Sequence, residues 1–120
     1  MLPPGQRDYS SVRISRHAVE RFVERFGAEP DSAEELLRKV LGRTRRIGKN
    51  PENDAIAVLA VYAERALVAI LQDSACLTVL TWNQFEPRLG EFGRNRMPRK
   101  WGRLLERLVE PIDRDPDEGA

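Results

Sequence analysis

"AIAVLAVYAERALVAILQDSACLTVLTW", residues 55–82, decides the fold. It holds three apolar runs, 55–63, 66–72 and 75–82, parted only by Glu64-Arg65 and Asp73-Ser74. Each run is too short for a typical helix and is rich in residues that suit a pleated, buried surface. Connections this short join antiparallel neighbours, because a parallel crossover needs a dozen residues or more. The stretch therefore predicts a three-stranded antiparallel meander. Neither connection carries an Asn-Gly pair, so turn chemistry leaves the register open.

Upstream, "ISRHAVERFVERFG" predicts a helix. Ser15 is a good N-cap, and Ile14 with Val19 can form a hydrophobic staple. Ala18, Val19, Phe22, Val23 and Phe26 recur at helical spacing, and Gly27 is placed to end the helix. In "PDSAEELL", Asp31 or Ser32 can cap a second helix, with Glu34 or Glu35 completing a capping box. Its apolar side is Ala33, Leu36, Leu37, Val40 and Leu41. Gly42 and the basic run "GRTRRIGKN" close it, and "NPEND" is a turn. Residues 1–12 read as a loose lead-in.

Downstream, residues 83–97 read as a long loop. A last helix then begins near Pro98, with Trp101, Leu104, Leu105 and Leu108 facing the sheet and Pro111 stopping it. The expected fold is α+β: two N-terminal helices, a three-stranded antiparallel meander and a C-terminal helix packed on the sheet. One domain over 1–109 and an acidic, disordered tail over 110–120 complete this expectation.

Composition narrows the function classes. The longest apolar run is far too short to span a bilayer, and no secretion signal is visible at the N-terminus, so no membrane partner is expected. Cys76 is the single cysteine and His17 the single histidine, which leaves no zinc-ligand set, and no cofactor is expected. A lone cysteine fits a reducing, cytoplasmic compartment. Net charge is +1, but it is unevenly spread. Arg38 to Lys49 holds six basic and no acidic residues, and Arg88 to Arg107 holds seven basic and two acidic. The tail from Glu110 carries −4, leaving +5 on the rest of the chain. A basic body points to a polyanion, with the tail as a competitor for the same surface. The plainer alternative is a solvated surface with a solubilising tail.

His17, Arg21 and Glu24 share the helix face opposite the apolar stripe. Free N–H groups in the first helical turn favour an anion, and Arg13, Arg16, His17 and Arg21 would surround it. An imidazole beside a phosphate is a common general acid or base near neutral pH. The alternative is an ordinary exposed histidine between surface ion pairs, and both stay open.

The stretch "ISRHAVERFVERFG", the second helix and "ALVAILQDSACLTVLTW" together resemble the RelE-, barnase- and colicin-like group of small bacterial and phage ribonuclease folds. The likeness covers roughly residues 13–82 and rests on His-x-x-x-Arg, here His17 and Arg21, with Leu77-Thr78-Val79-Leu80 as the late strand. It implies a toxin-like protein that cleaves RNA without a metal, or a degenerate relative of one, with His17, Arg21 and Thr78 at the site, and an antitoxin or another protein as partner. Several members use a second histidine or a late tyrosine, which this chain lacks after Tyr62.

Two further classes compete. One is a non-catalytic nucleic-acid-binding module, meeting RNA or a single strand through Arg13, Arg16, Arg43, Arg45, Arg46, Arg94, Arg96 and Lys100. Trp82, Phe85, Phe92 and Trp101, interleaved with arginines, could then stack on bases, or could simply be core. The other is a protein-interaction domain or regulator of phage or host origin.

Overall fold

The computed structural model describes residues 5–94 and Leu105. The chain runs β1 (Gln6–Arg7), β2 (Arg13–Ile14), α1 (Arg16–Phe26), α2 (Ala33–Leu41), β3 (Thr44–Lys49), β4 (Ile56–Tyr62), β5 (Arg65–Gln72), β6 (Ala75–Thr81) and α3 (Trp82–Phe85). Short 3-10 segments, Pro30–Ser32 and Glu86–Phe92, precede α2 and follow α3. The fold is α+β, but the sheet has six strands in the order β1-β3-β4-β5-β6-β2, not three. It is mixed, because β2 runs parallel to β6 while the other pairs are antiparallel.

The three hairpin-linked strands expected over 55–82 are β4, β5 and β6, but they are the interior of this larger mixed sheet and not a sheet of their own. Their turns are Ala63-Glu64 and Asp73-Ser74, with φ of 52° and 63° in each. Positive φ at both central residues is the type I′ pattern, which matches strand twist but strains residues that carry a Cβ. The meander is embedded because β2 pairs with β6, β3 pairs with β4, and β1 adds outside β3. Two of these three added strands, β1 and β2, have only two residues each, too few to show any hydrophobic period. The third, β3, is "TRRIGK", and only Thr44 and Ile47 are buried in it. A bulge at Ile47, where pairing jumps from Arg46↔Val58 to Gly48↔Ala57, spaces those residues three apart. Period 2 is thereby erased, and the basic run that reads as a helix terminus is a strand.

The strands are almost continuously apolar because both faces of the sheet are covered. β5 buries six consecutive residues, Ala66 to Leu71. Leu67, Ala69 and Leu71 join one core with Ala18, Phe22, Phe26, Leu37 and Leu41 of α1 and α2. Val68 and Ile70 join the other, with Ile47, Trp82, Phe85, Leu89 and Phe92. Residues 83–92, part of the loop expected over 83–97, are thus helical cover for the second face, together with Trp82, expected at the end of the last strand. The C-terminal helix expected beyond Pro98 and the tail over 110–120 lie outside the described residues, except Leu105, which is helical and buried in the second core.

α1 forms as its sequence dictates. Ser15 Oγ accepts from the Ala18 N–H at 3.0 Å, and Gly27 ends the helix at φ 69°. Ser32 caps α2 by position only, without the side-chain hydrogen bond of a capping box. The lead-in is also tied down. Arg38 Nη1 donates to the Ser10 and Val12 carbonyls at 2.6 and 3.0 Å, and the Tyr9 N–H donates to the Leu41 carbonyl at 2.7 Å.

The reach of this segment shapes the sheet. β1 sits at one edge and β2 at the other, yet only six residue steps separate Arg7 from Arg13. Six extended steps span about 20 Å. The edges of a flat six-stranded sheet lie five spacings, about 24 Å, apart. The sheet must therefore curl for the segment to touch both edges.

Candidate nucleic-acid interface

The edge formed by β6 and the start of α1 carries the histidine motif. His17, Arg13 and Arg16 are exposed there. Arg21 donates to Glu24 Oε1 at 2.7 Å, a surface ion pair on the helix face that His17 shares. Arg25 leaves that face and reaches back to the sheet, where its Nη1 donates to the Val79 carbonyl at 2.8 Å. Burial, and secondarily the neighbouring Arg21 charge, hold the Arg25 guanidinium below its ordinary pKa. Arg65 crosses the Phe26 ring at 4.7 Å and donates to the Arg25 carbonyl at 3.1 Å. Thr78 is half-buried on β6, and Thr81 is used as the N-cap of α3, in a capping box with Gln84. Cys76 is fully buried, and desolvation pushes its thiol up from 9.0 to about 12, so it stays protonated and unreactive.

A groove of about 660 Å³ lies on the other side of the sheet's centre, where α2 turns through Gly42 into β3. Lys39, Arg43 and Arg45 line it with Gln6 of β1, and Val40, Leu59, Ala60 and Val61 supply apolar wall. Strand register explains the hollow. β3 pairs with β4 only as far as Arg45↔Leu59, while β4 continues through Ala60, Val61 and Tyr62 paired to β5 alone. The end of β4 is therefore an open edge beside three cations. Lys39, Arg43 and Arg45 form no ion pair among the described residues. Val61 is 46% exposed, although it lies within an otherwise buried strand.

The structure thus divides the arginines named from sequence. Arg43 and Arg45 come together in the groove, and Arg46 is exposed on the same strand. Arg94 does structural work, its Nε donating to the Ile47 carbonyl at 2.8 Å. Arg13, Arg16, His17 and Arg21 belong to the α1 side, and the groove does not include them. Arg96 and Lys100 lie outside the described residues. Of the two readings open for the aromatics, Trp82, Phe85 and Phe92 follow the core one: they are buried in the second core, with centroids 5.8 and 5.5 Å apart in sequence order. Trp101 is outside the described residues. Lys39, Gln6 and Val61 were missed. Lys39 was visible as part of the basic run, but only the reversal at Gly42 brings the end of α2 beside β3.

No family model, curated protein or solved structure matches this chain. The likeness to small ribonuclease folds rests on the quoted motifs alone, and the site is read from its own geometry. Among the described residues no group of three or more His, Cys, Asp or Glu could hold a metal ion. No described helix is long and apolar enough to cross a membrane.

Proposed function

We propose that this chain is a nucleic-acid-binding module that meets the phosphate backbone through the groove between α2, β3 and β4. One observation carries this reading: Lys39, Arg43 and Arg45 converge on one hollow without carboxylate partners among the described residues. Unpaired cations around a concavity focus positive potential, and phosphates are their natural counter-ions. Arg46, exposed on the same strand, extends the charge along the surface.

The reading of His17 as a general acid or base stands second. Its support is an exposed imidazole in the first turn of a capped helix, near Arg13 and Arg16 in sequence. Against it, Arg21 is neutralised by Glu24 at 2.7 Å, so the cation meant to stabilise a transition state already has a counter-ion.

One experiment addresses both. Labelled RNA is titrated with the full chain in excess EDTA at several salt concentrations, and the RNA is then run on a gel. Binding should weaken steeply with salt as counterions are released. Replacing Lys39, Arg43 and Arg45 with alanine should lower affinity and reduce the log–log salt slope by about 2, the value for three contacts to a single strand. Unchanged affinity and slope would remove the groove from the footprint. Cleaved RNA, lost in His17→Ala, would move the function to α1.

A further inference from the structure

A phosphate backbone needs cations, but it does not need a hollow with an apolar wall. The groove offers both. Its cations sit on the chain between Lys39 and Arg45, while Val40, Leu59 and Val61 provide apolar surface beside them. The end of β4 adds backbone polar groups, because Ala60 to Tyr62 have a ladder partner on the β5 side only. Gln6, at the same groove, keeps its Oε1 buried without a hydrogen-bond partner. Cations, the exposed apolar surface of Val61 and the open backbone groups at the end of β4, within about 660 Å³, offer partners for a phosphate, a base face and a base edge. That volume lies within the usual range for small-ligand sites.

We infer that the groove seats one unstacked nucleobase of a single strand, with its flanking phosphates on Lys39, Arg43 and Arg45. This rests on the nucleic-acid reading above and narrows it. The base packs against Val61, on the face of β4 that Arg45 shares through its pairing with Leu59, and turns its polar edge toward the open end of β4. A base paired within a duplex keeps its faces stacked and its pairing edge occupied, so it cannot enter. A peptide adding to the sheet is the rival occupant of an open strand edge. Three residues of free edge give it little ladder to extend, and the basic surroundings limit it to an acidic sequence.

The test compares three fluorescent probes of equal length with the full chain: a mixed-sequence single strand, its duplex and a single strand of abasic nucleotides. The ordinary strand should bind roughly fivefold tighter than the abasic strand, the gain from covering a half-exposed Val61 and its neighbours. It should also bind tighter than the duplex. Val61→Ser, at a position 46% exposed, should keep the circular dichroism spectrum and narrow the gap between ordinary and abasic strands. Equal binding of ordinary and abasic strands would overturn the seated base while leaving the phosphate reading intact. Tighter binding of the duplex would also overturn it. If no probe binds, both readings fall, and binding of an acidic peptide in their place would give the groove to a protein partner.

Discussion

The two flanks of the β4-β5-β6 meander are finished differently. At β6 the outer carbonyls are met one after another. The Arg13 N–H reaches the Ser74 carbonyl at 2.9 Å and the Ser15 N–H reaches that of Cys76 at 3.1 Å. Ser15 Oγ takes Leu77, and Arg25 takes Val79. A helix cap and one long side chain thus do the work of a missing strand, which protects the edge from pairing with another chain. At β4 the ladder to β3 stops at Leu59, and cations gather where another strand would continue. The contrast teaches that an unpaired edge need not be a defect. One edge is closed with local hydrogen bonds, and the other is left open under positive charge, which itself discourages edge-to-edge aggregation.

The largest expected effect tests the closed side. Phe22 is fully buried between α1 and the sheet, so Phe22→Ala should cost about 3–5 kcal/mol in denaturant unfolding. A cost below about 1 kcal/mol would show that α1 is not anchored there. On the other side, Gly48 lies where an added Cβ would meet the Phe92 carbonyl oxygen at 2.1 Å, so the backbone must give. Gly48→Ala should cost about 2–3 kcal/mol, and an unchanged midpoint would mean that residues 86–92 do not hold their place on the second face.

Arg25→Met probes the seal itself. It keeps the apolar stem but leaves the Val79 carbonyl without its donor, at a cost of about 1–2 kcal/mol. Amide exchange along β6 should speed up in this variant while exchange in β3 does not change. A uniform change would mean that the two edges are not independent. Beside the open edge, replacing Ala63-Glu64 with Asn-Gly should stabilise by about 1 kcal/mol, because φ of 52° and 63° strains the natural pair. A loss of stability would mean that the turn is not type I′. The smallest effect belongs to His17→Ala, expected within about 0.5 kcal/mol for an exposed helix position.

The strands β4 to β6 and the helices α1 and α2 were legible as elements because their signals are local, but the six-stranded mixed sheet that holds them was not. Ser15, Phe22 and Gly27 announce α1 without help from the rest of the chain. β1 and β2 were not legible, since two residues have no period and their partners lie far away in sequence. β3 was hidden by the bulge at Ile47, and residues 83–92 by a glycine and a proline that a 3-10 segment tolerates. The site was half legible. Arg43 and Arg45 stood out as charge, but a groove arises from where a ladder ends, and Leu59 carries no mark of that. The aromatics stayed open between two readings because a ring beside an arginine looks alike in a core and on a binding surface.

The short segment that touches both edges has a kinetic consequence. Two-residue turns let β4, β5 and β6 meet early, with little loop entropy to overcome. The segment from Gln6 to Ile14 meets its partners only across long loops, 37 residues from Arg7 to Thr44 and 62 from Ser15 to Leu77. It is synthesised before the strands it pairs with, and its long loops make it the part expected to dock after the hairpins. Until it docks, neither margin of the sheet has its outermost strand. The interval between closing the hairpins and fastening this belt is therefore when the nascent chain is most open to pairing with a neighbour.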